Sequence, residues 1–332
     1  MASVRTARIT EQMNILSLKS TLIGTLTSVI VAYRNYVQAI KSLEIAKQSL
    51  ERSKDLLAIN HELIAAGRMA ASEIVQSEAD VASREFSLLS SENAVDTARL
   101  ALTKAMDIDI DKHTMITPLL ETDIPPLPYS YEQAVKLAFE NRPDYQRSLL
   151  DYELAKINLV TAKNSTLWDL SLTGGYAQNY TRSGPSGGNT SLGNWNAGLK
   201  LTVPIGDLSI RQGYIAAEIN IRKIENDLAQ QRRNIEIEVH DAVCDAEMKL
   251  RQIKLAKQLR ILSEKKVEIE TEKLRVGRST NFQLVSYQND LVNAQNSELE
   301  AVITYLNALA NLDQTLGLTL DRWGVSLEKR KP

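Results

Sequence analysis

The sequence repeats itself at an offset of 210 residues (66 to 276), and this repeat restricts the possible fold more than any other feature. Ala66-Gly67-Arg68 returns as Val276-Gly277-Arg278, and similar residues stand at equivalent positions on both sides of these glycines. These pairs include Ala32 and Ala242, Ile74 and Leu284, Val75 and Val285, Asp80 and Asp290, and Leu102 and Leu312. Residues 15–111 therefore recur as 225–321 without a gap, which predicts two copies of one structural unit.

Each copy is predicted to be a pair of long helices. Apolar residues recur three and four positions apart with charged residues between them, a pattern typical of a coiled-coil seam. No proline lies between Asp207 and Gly277, so this stretch predicts one helix of about 70 residues, about 100 Å long at roughly 1.5 Å per residue. Gly67 and Gly277 are predicted to end the first helix of each pair, after which the second returns antiparallel. An aromatic content of 5% agrees with coiled coils better than with a large globular core.

Between the copies the hydrophobic period changes from that of a helix to two. The apolar residues of this segment are Leu170, Leu172, Tyr176, Trp195, Ala197, Leu199 and Leu201, and polar residues or glycines alternate with them. This alternation predicts two strands of about 10–13 residues joined by a loop. A tilted strand that crosses a membrane needs about 9–11 residues, so a membrane-spanning β-hairpin is one interpretation. The other is a short amphipathic hairpin packed on a soluble helical domain. The helical pairs on either side favour the membrane interpretation.

Four domains follow from the repeat and the proline-rich stretch that separates its copies. They are the first helical hairpin at 1–111, a linker at 112–130, the second repeat at 131–321 and a C-terminal tail at 322–332. The second repeat is predicted to contain short helices, the β-hairpin at about 168–205 and a long helical hairpin at 207–317.

Several functional classes are excluded or disfavoured by the composition. The net charge of −2 gives no basic footprint for nucleic acid. No glycine-rich phosphate loop, nucleophile elbow or carboxylate pair is present, so we predict that the chain is not an enzyme. The histidines lie far apart in the sequence, Cys244 is the only cysteine, and no metal site or cofactor is predicted. The apolar run from Leu22 to Tyr33 has polar interruptions, so no transmembrane helix is predicted.

Five segments, in order along the chain, carry a resemblance to a known family. They are Ala65–Arg68, Ala134–Asp144 (AVKLAFENRPD), Leu170-Ser171-Leu172, Val203–Asp207 (VPIGD) and Arg275–Thr280 (RVGRST). In this order and spacing they resemble the outer membrane efflux protein family, the TolC-like outer-membrane channels. In that family the segments correspond to a helical turn, the start of a repeat, an outward strand, a strand-to-helix return and a second helical turn.

The resemblance implies a mainly α fold with two structural repeats, the first incomplete, in a Gram-negative outer membrane. Three copies would form a periplasmic α-barrel of antiparallel helices below a shared membrane β-barrel. This homotrimer would be the passive exit duct of a tripartite efflux or type I secretion system. It would work with a periplasmic adaptor (membrane fusion) protein and an inner-membrane transporter. The helical tips that would contact the adaptor are Gly67, Arg68, Val276, Gly277, Arg278, Ser279 and Thr280. A soluble periplasmic coiled-coil adaptor or structural protein is the alternative.

The sequence departs from the family at two points. Acidic residues six and nine positions after the second tip glycine commonly ring the closed pore, whereas this chain has Gln283 and Ser286. Glu73, six positions after Gly67, is the remaining acidic candidate for a pore constriction. The first repeat also lacks about 80 residues relative to the second, so we expect an N-terminally truncated product. One hairpin per copy would give a trimer six strands, fewer than the eight of the smallest such barrels.

Overall fold

A computed structural model describes residues 2–108, 124–181 and 190–326. The described elements are the helices α1 (Ala2–Ala65), α2 (Glu73–Ala105), α3 (Tyr131–Asn141) and α4 (Pro143–Asn164), the strands β1 (Asp169–Thr181) and β2 (Thr190–Thr202), and the helices α5 (Leu208–Arg275), α6 (Asn281–Leu316) and α7 (Thr319–Arg322). The mainly α fold class with one β-hairpin is confirmed. Most of the predicted linker at 112–130, of the loop between the strands and of the tail at 322–332 lies outside the described residues.

The two predicted helical hairpins are present. In the first, the Ser53 hydroxyl of α1 donates to the Asp80 carboxylate of α2 at 2.6 Å, and Lys54 pairs with Glu85 at 3.4 Å. In the second, Lys266 of α5 pairs with Asp290 of α6 at 2.9 Å, and Arg260 pairs with Glu298. From Arg260 to Lys266 along α5, the partner on α6 moves back from Glu298 to Asp290, so the two helices of the second hairpin run antiparallel.

The core of the helical part consists of narrow apolar clusters between helices. One cluster joins α5 and α6 and contains Ala246, Ile253, Ala301, Tyr305, Ala308 and Leu309. Another joins α1, α5 and α6 and contains Leu56, Val267, Leu274, Leu284 and Leu291. These residues recur at helical spacing, so each helix buries one stripe and leaves its remaining faces exposed.

The segment that resembles the family signature lies against the end of α6. Ser130 and Gln133 form a capping box that begins α3. Arg142, directly after α3, donates from Nη1 to Glu238 at 2.6 Å and pairs with Asp144 at 2.7 Å. Gly317 ends α6 with φ +74°, and a Cβ there would lie 2.6 Å from the carbonyl oxygen of Asn141. The chain therefore needs glycine at 317 for both its backbone angle and the available space.

The contacts divide the chain into two compact units. One contains the start of α1 through Leu16 together with Tyr145–Arg232, and the other contains Ser17–Asp144 together with the chain from Arg233 onward. In the first unit, the Arg232 guanidinium donates to the Tyr145 hydroxyl at 2.8 Å, and the Tyr152 hydroxyl donates to Glu225 at 2.9 Å. The domain boundaries at 112, 131 and 322 stay a prediction.

The prediction of no transmembrane helix stays a prediction. Among the described residues, one helix, α1, is long and apolar enough to cross a membrane by length and composition. The polar residues between Leu22 and Tyr33 are too few to bring the mean hydropathy of an 18-residue window below that of a possible membrane span. Core helices of soluble proteins and signal sequences pass the same test, so this observation is weak evidence for a membrane span.

Candidate functional site

The β-hairpin has one face made almost entirely of apolar side chains. Antiparallel pairing places Leu170 opposite Leu201, Leu172 opposite Leu199, and Tyr176 opposite Trp195. We call these six residues the apolar band. Each of them is more than half exposed, and Leu172 and Trp195 are more than 80% exposed. The rings of Tyr176 and Trp195 lie 4.7 Å apart between centroids, which fixes one end of the band.

The opposite face of the hairpin is polar, because successive side chains of a strand point to opposite faces. Ser171 lies opposite Lys200, and Gly175 lies opposite Asn196. Within the described part of the chain, β1 and β2 pair only with each other, so both outer edges of the hairpin have unpaired backbone groups. An exposed apolar face with open edges is the surface that lipid and further strands would cover.

The two predicted helical turns have the same backbone geometry. In the first, the Gly67 amide donates to the Ile64 carbonyl and the Arg68 amide to the Leu63 carbonyl, each at 2.9 Å. In the second, the Gly277 amide donates to Leu274 at 2.9 Å and the Arg278 amide to Lys273 at 2.8 Å. The φ angles of Gly67 and Gly277 are +68° and +76°. This bonding satisfies the last carbonyls of each helix and requires the left-handed conformation that glycine adopts readily. The two turns that are related by the sequence offset of 210 therefore also have the same backbone structure.

The structure brings the two turns together. Nη2 of Arg68 lies 4.0 Å from the position that a Cβ on Gly277 would occupy. Val276, directly before that glycine, is 59% exposed. The turns of the two hairpins, at 66–68 and 276–278, thus lie side by side, and we call them the paired tips.

Side-chain contacts support the second turn. The Ser279 hydroxyl donates to the Glu270 carboxylate at 2.7 Å, and Lys273 Nζ lies 3.0 Å from the same carboxylate. These two contacts, chiefly the Ser279 hydrogen bond, hold the pKa of Glu270 below its ordinary value of 4.5. The Thr280 side chain accepts from the Gln283 amide and begins α6, whereas Ser72 before α2 makes no such bond.

The candidates for a pore constriction lie at the starts of α2 and α6. The Asn281 side-chain amide lies 3.5 Å from the Glu73 carbonyl, which brings these two helix starts together. The side chains of Glu73, Gln283 and Ser286 are all half-buried in the single chain. Whether these three residues line a pore stays a prediction, since a pore would need further copies of the chain.

Sequence reasoning missed a buried polar cluster directly behind the paired tips. Asn60 donates to the Ser77 hydroxyl at 2.6 Å and to the Asn281 side-chain oxygen at 3.1 Å, and Asn281 donates to Ser77 at 2.9 Å. All three side chains are at most 1% exposed. The cluster joins α1, α2 and α6, and so connects the two hairpins. Only the clustering of small polar residues near both turns could have indicated it.

Within 2–108, 124–181 and 190–326, no group of three or more histidine, cysteine, aspartate or glutamate side chains is arranged to hold a metal ion.

A family model matches most of the second repeat. The family model described as outer membrane efflux protein matches residues 134–318, more than half of the chain. No curated protein sequence gives a significant match.

Solved structures share the fold at low sequence identity. The outer-membrane channel OprN superposes with a TM-score of 0.80 at 16% identity, over 95% of this chain and 71% of that one. The outer membrane protein VceC from Vibrio cholerae gives 0.78 at 17% identity, over 95% of this chain and 75% of that one. The CmeC outer membrane channel of Campylobacter jejuni gives 0.74 at 18% identity, over 96% and 67%. At these identities the similarity establishes the fold, which is the one predicted from the sequence.

Proposed function

The chain belongs to the outer membrane efflux protein family, and we propose that it is the exit duct of a tripartite efflux or type I secretion system. Its family and fold are those of passive outer-membrane channels rather than enzymes. Drugs, small molecules or proteins would pass through the duct from the periplasmic tunnel to the exterior. An inner-membrane transporter would supply the energy.

The apolar band is the observation that carries this proposal. Exposed apolar side chains that form one contiguous face, with Leu172 at 81% exposure, are typical of a surface that lipid or another protein covers. Each strand has 13 residues, enough to cross a bilayer at the usual tilt. Backbone groups on the open edges of the hairpin cannot remain unpaired in lipid, so they would pair with further strands in a closed barrel.

Two exposed apolar stripes support assembly into a homotrimer. The α2 seam contains Val75, Phe86 and Leu89, which are 65%, 75% and 64% exposed. The α5 seam contains Leu255, Leu259 and Leu262, which are 67%, 53% and 57% exposed. The α5 residues lie four and three positions apart, and the α2 residues lie eleven and three positions apart, so each set shares one face of its helix. In the proposed assembly the α2 seam of one copy packs on the α5 seam of the next, a head-to-tail contact that closes into a ring.

The paired tips are the proposed contact for a periplasmic adaptor. A groove of about 650 Å³ lies beside the second turn, and its lining combines charged and apolar side chains. The lining residues are Lys265, Glu268, Ile269, Glu272, Lys273, Val276 and Arg278. With Gly67, Arg68, Gly277, Ser279 and Thr280, they give an adaptor hairpin both ion-pair partners and an apolar contact.

Substitution on opposite faces of β1 tests the proposal. Arginine in place of a lipid-facing residue at the bilayer midplane costs roughly 2–4 kcal/mol, so Leu172→Arg is expected to abolish recovery from detergent-extracted outer membranes. Thr173→Arg, one residue away on the polar face, is the matched control and is expected to be recovered normally. Conductance of the purified protein in planar bilayers should disappear with Leu172→Arg alone. Equal recovery of both variants as soluble monomers would support the adaptor alternative and overturn the proposal.

A further inference from the structure

The sequences of the two strands contain one acidic and one basic residue. Asp169 is the first residue of β1, Lys200 lies close to the end of β2, and every other residue of the two strands is uncharged. Both charged side chains are exposed. Asp169 is adjacent to Leu170 and Lys200 to Leu201, and the two leucines belong to the apolar band. Successive side chains of a strand point to opposite faces, so both charges lie on the polar face of the hairpin.

The two charges lie at consecutive levels of that face. Asp169 lies opposite Thr202, whereas Lys200 lies opposite Ser171, two residues further along β1. Two residues of a strand span about 7 Å, and residues in this relation are diagonal neighbours. This spacing is shorter than the Debye length of about 10 Å at roughly 0.1 M salt. An ion that passes along the polar face therefore senses both charges together.

The rest of the polar face is neutral and low in relief. Its other residues have hydroxyl groups, carboxamides or no polar side-chain group. The Thr173 hydroxyl donates to the Gly198 carbonyl at 3.2 Å, so it is held against the neighbouring strand. Asn196 lies across β1 at Gly175, where a Cβ would be 2.6 Å from the Asn196 Oδ1. Such a surface binds water but does not distinguish ions by the sign of their charge.

We propose that Lys200 and Asp169 set the charge selectivity of the membrane section of the duct. The inference rests on the proposed channel function, in which the polar face lines the water-filled interior. Rings of charged side chains select ions by sign in channels. In the proposed trimer each copy supplies one lysine and one aspartate, and their opposite charges offset each other. The membrane section therefore conducts anions and cations about equally, and its cargo is not restricted to molecules of one charge.

Conductance of the purified full chain in planar bilayers under a KCl gradient tests this inference. The measured quantity is the ratio of K⁺ to Cl⁻ permeability, which should be close to unity for the wild type. Lys200→Glu should raise the ratio at least about threefold, and Asp169→Lys should lower it by a similar factor, because each leaves charges of one sign on the wall. The double exchange of Asp169→Lys with Lys200→Asp should return the ratio towards that of the wild type.

Chemical modification of an assembled channel separates charge from folding. Lys200→Cys is reconstituted in a Cys244→Ser background and treated with charged methanethiosulfonate reagents. A positively charged reagent should restore the wild-type ratio, and a negatively charged one should reproduce that of Lys200→Glu. Ala197→Cys, on the lipid-facing side of the same strand, is the matched control and should not respond to these water-soluble reagents.

The two proposals fail in different ways. Conducting channels whose permeability ratio is the same after either reagent at position 200, and the same in Lys200→Glu as in the wild type, would overturn this inference alone. Absence of conductance in the wild type would overturn the channel function and this inference with it.

Discussion

Glu270 provides a pH-dependent contact between α5 and the turn that precedes α6. The Ser279 hydrogen bond and Lys273 lower its pKa below 4.5, so the stabilisation is fully present above that value and is lost as pH falls through the lower, folded pKa. We expect amide exchange at residues 276–283 to accelerate selectively under acidic conditions, after correction for intrinsic rates. Ser279→Ala should raise the pKa of Glu270 towards 4.5, as followed by carboxyl NMR.

Glu268 supplies the control for this prediction. It lies two residues away on the same helix and is exposed. Glu268→Gln should leave the acid response of the turn unchanged, whereas Glu270→Gln should remove it. An acid response that survives Glu270→Gln would assign it to another group.

The buried cluster of Asn60, Ser77 and Asn281 is expected to hold the two hairpins together behind the tips. Asn281→Ala leaves the buried Asn60 amide without one of its two partners. Loss of a partner for a buried polar group costs about 1–3 kcal/mol, which should appear as faster amide exchange at the starts of α2 and α6. Asn93→Ala, at an exposed position of α2, should have little effect. Equal effects of both variants would show that the cluster contributes nothing.

For single residues, the sequence predicted which positions need glycine better than it predicted which side chains contact each other. The repeat located Gly67 and Gly277, because a left-handed helix end favours glycine in any context. It did not reveal that Asn60 contacts Asn281, since the two are 221 residues apart and a buried asparagine looks like a solvated one in a helical pattern.

The ends of α3 and α6 meet backbone to backbone, and the contact depends on Gly317. Gly317→Ala should cost about 1–2 kcal/mol for its positive φ and about 1–3 kcal/mol more because the new Cβ would overlap the Asn141 carbonyl. Gly67→Ala has a similar φ but nothing within 4 Å of the added Cβ, so it should show only the first cost. Thermal unfolding by circular dichroism compares them. Equal melting temperatures would contradict the proposed clash.

The helices and strands could be predicted closely from the spacing of apolar residues along the sequence. Alternation at Leu170 and Leu172 predicted β1, and the uninterrupted stripe from Asp207 predicted α5, which begins at Leu208. Proline marks one boundary from inside the helix, because α4 begins at Pro143 itself. Proline is favourable in the first turn of a helix, so it begins this helix rather than preceding it.

Across the whole molecule, the α2 and α5 seams are expected to hold neighbouring copies together. Phe86→Glu places a charge where the next copy would pack, so native mass spectrometry in detergent should show monomers in place of trimers. Ser87→Glu, on the following residue and a different face of α2, should leave the trimer intact. Leu259→Glu should act like Phe86→Glu. A wild-type chain that is monomeric in detergent would contradict the assembly.

The sequence could not distinguish these seams from the core, because both consist of apolar residues at the same spacing. Leu274 and Leu259 look alike in the pattern, yet the first is 2% exposed and the second 53%. The distinction depends on which neighbouring helix of the same chain covers each stripe, a long-range property. The fold class was therefore predictable, whereas the surfaces that join copies required coordinates.

The account depends most on lipid contact by the apolar band, and site-directed spin labelling measures that contact directly. Single cysteines are introduced at each position from 169 to 176 in a Cys244→Ser background and labelled in reconstituted bilayers. Labels at 170, 172, 174 and 176 should be accessible to dissolved oxygen, and those at 169, 171, 173 and 175 to a water-soluble nickel chelate. Nickel accessibility at all eight positions, without a period of two, would contradict the account.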